Sequence, residues 1–248
     1  MIDPLEEFRR AAAGVLARME RRFVESALAL PGYVFDKAAD ATRKMVVNEV
    51  QQRLDAAKML SRLPHHLADM LADSWRGPGA RMLTARERLL IVDVYGHRAR
   101  PDLIRIVDGP GLSEIPRIAF RNNNGAITIG NTIYLNPARK YPTQDLTSKK
   151  GEGTELLIHE VMHTIQYREL GYARFLTRYG NDMATVKGDA NEMYNYFKRR
   201  RTFGNEMLEG QAEMVGRYQE LRDVPNPKLD GVRDDLRRRL KGTGLHGL

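Results

Sequence analysis

The stretch Leu156-Leu157-Ile158-His159-Glu160-Val161-Met162-His163-Thr164-Ile165 decides how this chain is read. His159 and His163 are four residues apart, so on a helix their imidazoles project from one face, about 40° apart around the axis, and can share one metal ion. Glu160 lies beside that ion, where it can hold and deprotonate a bound water. Leu156, Leu157, Ile158, Val161, Met162 and Ile165 put apolar side chains on nearly every side of the helix. Such a helix is expected to be buried, because a surface helix shows a polar stripe. Buried histidines and a buried glutamate need partners, and a metal ion supplies them. A pair of satisfied core histidines is the bland alternative.

A catalytic metal centre of this kind takes a third protein ligand and leaves a fourth position for water. The only histidine after His163 is His246, near the C-terminus. A carboxylate on a later helix is therefore expected, and the segment Glu206 to Glu213 offers Glu206, Glu209 and Glu213. Glu209 is preferred, because Ala212 one turn on allows close packing against the first helix. Glu206 is the fallback. Glu213, on the same face as Glu209, is a candidate to hold a ligand histidine from behind. Gln166, seven residues after His159, is another.

These residues resemble a known group. His159 to His163 with the Glu-x-x-Ala-Glu pattern at Glu209 to Glu213 is similar to the gluzincin HExxH zinc metallopeptidases. The longer string resembles small bacterial zincin domains of Vgr-related and Rhs-associated secretion-system proteins. The matching points are Leu83-Thr84-Ala85-Arg86-Glu87-Arg88, the strand-like Gly130 to Pro137, HExxHxxQ from His159 to Gln166, Tyr194 and Tyr196, and Glu209 to Ala212. They cover about residues 82 to 222. The resemblance implies Zn2+ on His159, His163 and Glu209, Glu160 as general base, and Tyr194 or Tyr196 as donor to a developing oxyanion. It implies a peptidase, with use as a secreted bacterial effector.

Outside the motif, Gly130-Asn131 joins Ala126 to Ile129 and Thr132 to Leu135 in a tight hairpin, and Leu103 to Val107 and Ile115 to Arg121 read as further strands. Thr84 with Glu87 makes a capping box for a helix to about Tyr95. Thr154 is read as the cap of the metal helix. The expected fold is α+β and zincin-like, a small antiparallel sheet packed on a buried HExxH helix. Thr132 to Leu135 is the candidate edge strand for pairing with an extended peptide. Residues 1–80 read as an N-terminal helical region for docking or support, residues 81–222 as the metallopeptidase domain, and residues 223–248 as a basic C-terminal tail, mobile at its Gly-rich end. His65, His66 and His97 are read as surface residues.

The 248 residues carry a net charge of +8 and no cysteine. The latter excludes disulfides, thiol nucleophiles and Cys-based zinc sites. The basic runs Lys198 to Arg201 and Arg237 to Lys241 read mainly as solvated helix faces, and nucleic acid is an unlikely partner. No apolar run reaches membrane-spanning length. The acidic start, Met1 to Glu7, is unlike a Sec signal peptide. Synthesis in the cytoplasm is expected, with any export through a route such as a contractile machine. Expected partners are a protein or peptide substrate, with peptidoglycan stem peptides as the alternative, and a secretion-system spike reached through the N-terminal helices. A non-enzymatic assembly protein with structural zinc is the third reading.

Overall fold

The computed structural model describes residues 65–248, apart from 122, 123 and 188. Most of the expected N-terminal helical region lies outside these residues. The described chain opens with helix α1 (His65–Ser74), inside the region read as helical. A short strand that the sequence did not signal, β1 (Ala80–Met82), follows.

Helix α2 (Ala85–Tyr95) starts where the capping box placed it. The Thr84 side chain accepts from the Glu87 amide, and the Glu87 carboxylate accepts from the Thr84 amide. That carboxylate is fully buried and also accepts from both terminal nitrogens of Arg81, at 2.7 Å each, and from the Leu146 amide at 2.9 Å. One side chain thus starts a helix and ties β1 to the loop before the HExxH helix. At the other end of α2, the Tyr95 hydroxyl donates to the Ile158 carbonyl at 2.6 Å.

Strand β2 (Arg105–Asp108) is followed by helix α3 (Glu114–Arg121), where a strand was expected. The isoleucines suggested β structure. Pro116, however, sits in the first helical turn, where a missing N–H costs nothing. The correction has a topological consequence. With α3 as a crossover, the β3–β4 hairpin returns so that β4 (Thr132–Leu135) pairs parallel with β2, while β3 (Ala126–Ile129) pairs antiparallel with β4. The sheet order is β1-β2-β4-β3, so the sheet is mixed rather than antiparallel. Thr132 to Leu135 is an inner strand, and the edge next to the metal helix is β3. Every residue of β3 and β4 is buried. The hairpin turns at Gly130, whose φ of +57° favours glycine, and a Cβ there would collide with the Tyr172 hydroxyl.

Helix α4 (Glu152–Thr185) carries the HExxH residues and lies against β3. Its N-cap is Gly151 rather than Thr154; Thr154 sits in the first turn and its hydroxyl accepts from the Gly151 amide at 3.1 Å. Gly171, with φ of +71° and ψ of 161°, breaks the helix in two. Two short helices, α5 (Ala190–Tyr194) and α6 (Tyr196–Arg199), lead to α7 (Leu208–Asp223), which packs along α4. Ala212 is fully buried, as the close-packing argument required. A close approach lies one turn further on, at Gly216, where a Cβ would meet the Glu155 carbonyl at 3.0 Å and the His159 Cβ at 3.3 Å.

The expected basic tail folds back as helix α8 (Asp230–Leu240), with Leu236, Leu240 and Leu245 fully buried in the same core as Ile158, Val161 and Ile165. Its length and the apolar spacing at Leu236 and Leu240 were outweighed in the sequence by the run of arginines, which lies on the outer side. His246 belongs to this closure. Its Nε2 lies 3.2 Å from the Val215 carbonyl, Arg222 lies 3.0 Å from its Nδ1, and its ring meets Tyr218 edge-on. Nδ1 facing a guanidinium and Nε2 facing a carbonyl define the neutral ring, with Nε2 protonated. Burial holds its pKa down to about 4, with Arg222 adding to the effect against the pull of the Val215 carbonyl.

Two stability measurements test these contacts. Glu87→Ala leaves Arg81 and two amides without their partner, and we expect a loss of about 3–5 kcal/mol in urea unfolding. His246 has a folded pKa below its unfolded value of about 6.5, so its contribution is full above that value and is lost as pH falls towards about 4. The melting-temperature gap between wild type and His246→Gln should therefore be widest at pH 7.5 and shrink by pH 4.5.

Candidate metal centre

Three buried donors converge between α4 and α7. His159 Nε2 and His163 Nε2 are 3.3 Å apart, Glu209 Oε2 lies 3.4 Å from the first and 3.2 Å from the second. Exposure is 6% for His159 and 0% for His163 and Glu209. Two ligands about 2.0–2.1 Å from a tetrahedral ion stand about 3.3 Å from each other. The triangle therefore matches the seat of one first-row transition ion, and two imidazoles with one carboxylate suit such an ion better than calcium or magnesium, which take oxygen shells.

Each donor is held from behind. Gln166 Oε1 lies 2.8 Å from His163 Nδ1, and Glu213 Oε2 lies 3.5 Å from His159 Nδ1. Both contacts favour a proton on Nδ1 and a lone pair on Nε2. Gln166 is fixed in turn by donating to the Leu208 carbonyl at 3.0 Å and to Gln211 Oε1 at 3.1 Å, and Gln211 donates to the Phe203 carbonyl at 2.9 Å. Glu209 Oε1 accepts from the Tyr179 hydroxyl at 3.0 Å. Burial disfavours charge on His159, but hydrogen bonds to Glu209 and Glu213 outweigh it and hold its pKa well above the usual histidine range. Positive charge is what this cluster of carboxylates favours.

Glu160 is 3% exposed and is hydrogen-bonded to the sheet. Its Oε2 accepts from Thr128 Oγ1 of β3 at 2.7 Å. The Tyr194 ring stacks on His159, centroids 5.9 Å apart and planes 16° apart. The Tyr196 ring is in the hydrophobic core against Phe197, within electrostatic reach of Glu213, and its buried hydroxyl has no hydrogen-bond partner among the described residues. The fallback ligand, Glu206, lies outside the triangle, paired with Arg199 at 2.6 Å. His97 is exposed, as expected.

Three participants escaped the sequence reading. Glu155 forms a second potential ligand group with His159 and Glu213. Burial pushes its pKa up to about 7; Glu213, Glu220 and Glu160 add to the rise and His159 opposes it. Its spacing of four residues before His159 was the available signal. Thr128 and Tyr179 had none, since one lies across a sheet and the other beyond a helix break.

Residues 102–171 match the family model of the eCIS core domain, which ties the chain to proteins associated with extracellular contractile injection systems. The match takes in β2 to β4 and the HExxH residues and ends at the Gly171 break; Glu209 lies beyond it. No curated protein and no solved structure matches the chain. Among the described residues, no helix is long and apolar enough to cross a membrane.

We expect one equivalent of a divalent transition metal per chain by elemental analysis after dialysis. Glu209→Ala should lose it, and Tyr179→Phe should bind it about 10-fold more weakly, the usual cost of an outer partner.

Proposed function

We propose that this chain is a zincin-type, zinc-dependent metallopeptidase used in the setting of a contractile injection system. The observation that carries the reading is the pairing of two things. One is a closed triangle of His159, His163 and Glu209, each donor braced by a further residue. The other is a buried carboxylate, Glu160, that adjoins the triangle in sequence and is committed to Thr128 instead. A purely structural site has no need of that extra acid.

Bound there, the ion would polarise a peptide carbonyl and make its own water acidic enough to lose a proton near neutral pH. Glu160 would take that proton and deliver it to the leaving amine. Thr128 holds the carboxylate in one orientation and links it to β3. β3 is the edge strand beside Glu160, and its residues are buried. Tyr194, stacked on a ligand ring, is the better placed of the two tyrosines to donate to an oxyanion.

Casein and purified cell wall, each with wild type and Glu160→Gln, test the proposal and its substrate class. Glu160→Gln should keep its zinc and lose about 10²–10⁴-fold in rate, the usual worth of a general base. Undiminished cleavage by Glu160→Gln would sink the mechanism. Cleavage of cell wall alone would identify a peptidoglycan hydrolase. Failure on both substrates with zinc fully loaded would leave a binding or assembly role.

A further inference from the structure

The two basic runs, separated by more than thirty residues in the sequence, meet in space. Arg200 and Arg201 at the end of α6 and Arg238, Arg239 and Lys241 at the end of α8 line one surface pocket of about 990 Å³. The only carboxylate in its lining is Asp235, which is taken by Arg239 at 2.8 Å and Arg238 at 3.1 Å. Among the described residues, the side chains of Arg200, Arg201 and Lys241 make no hydrogen bond or ion pair. Five cations against one anion repel each other, and a fold gains nothing by gathering them unless something negative sits among them.

The pocket is shaped for close approach as well as for charge. Gly204, Gly231 and Gly242 form part of its wall, and nothing lies within 4 Å of where a Cβ would be at any of them. A ligand can thus reach backbone as well as side chains. Guanidinium groups match phosphate oxygens two at a time, and five cations call for more negative charge than a halide or a lone carboxylate carries. A concave site of this volume suits a small molecule better than a duplex, which needs an extended stripe of charge.

We propose that the pocket formed by Arg200, Arg201, Arg238, Arg239 and Lys241 binds a compact ligand bearing at least two phosphate groups. The site is separate from the metal centre, and the inference does not depend on peptidase activity. The ligand's phosphates could belong to a soluble polyphosphate or to a phosphorylated lipid headgroup.

The test is calorimetric titration of the intact, metal-loaded protein with inorganic triphosphate. Saturable one-to-one binding is expected. It should weaken at least about tenfold in Arg201→Ser/Lys241→Ser, which removes two charge-assisted contacts. The charge-matched control, Lys150→Ser/Lys187→Ser, alters two exposed lysines outside the pocket and should bind within about twofold of wild type. All four substitutions are at exposed positions, and thermal melts check that each variant folds. A second arm uses phosphatidylcholine vesicles with and without phosphatidylinositol bisphosphate. Binding to the phosphorylated vesicles that Arg201→Ser/Lys241→Ser abolishes assigns the phosphates to lipid; binding to triphosphate alone assigns them to a soluble ligand. Equal weakening by the two double variants would mean diffuse charge and overturn the proposal. So would the absence of saturable binding, or a single-stranded oligonucleotide that binds through the same residues at least tenfold more tightly.

Discussion

Two imidazoles and one carboxylate buried between the same pair of helices, with the half-buried Glu213 behind them, cannot be electrically neutral at rest without a cation among them, and the arrangement of the domain follows from that. Glu209 has lost its water, and its nearest polar neighbours are His159, His163 and Tyr179. Desolvation on this scale costs several kcal/mol per charge unless an opposite charge is in place. Proton or metal, positive charge belongs in the triangle. The contact between α4 and α7 is therefore not a greasy interface that happens to carry a site. Its middle layer is polar, its close approach at Gly216 sets the donors in range, and the leucines and valines around it keep water out.

The remaining elements divide the work of holding that layer. The sheet contributes one side chain to it directly, Thr128, and otherwise acts as a floor for α4. The loop helices bring Tyr194 to one ligand ring, and Gln211 and Gln166 reach from Phe203 to the other ligand. The part of the chain that matches the eCIS core domain contains β2 to β4, both histidines and Glu160, but not Glu209, Glu213 or Tyr179. The centre is completed by helices on the far side of Gly171, so the matched segment alone holds an incomplete set of donors.

What could be read in advance divides along physical lines. The HExxH helix announced itself through local spacing, because His159 and His163 four apart and an apolar surround are both properties of one helix. The hairpin did so through Gly130-Asn131, and α2 through Thr84 and Glu87. Glu209 came from chemistry, since a third ligand was required and histidines had run out. The failures are non-local. Ile115 to Arg121 looked like a strand because its apolar residues favour β structure, and nothing in those residues states that the chain needs a crossover there. The order of strands depends on that crossover, so Thr132 to Leu135 was placed at the wrong depth. Leu236 and Leu240 were hidden among arginines, and their burial is decided by what they meet in the core. Thr128 and Tyr179 act through contacts across 32 and 30 residues.

The break at Gly171 gives the chain an unusual tolerance pattern. Before it, every residue of α4 is counted from the N-cap, and after it the helix restarts on its own axis. Tyr179 reaches Glu209 from the second segment, eight residues after the restart. Deleting or inserting one residue between Gly171 and Tyr179 would turn the ring about 100° away from the carboxylate. Substituting an exposed residue such as Ala173, Arg174 or Thr177 leaves that rotation untouched. In this stretch it is the spelling length, more than the letters, on which the Tyr179–Glu209 contact depends.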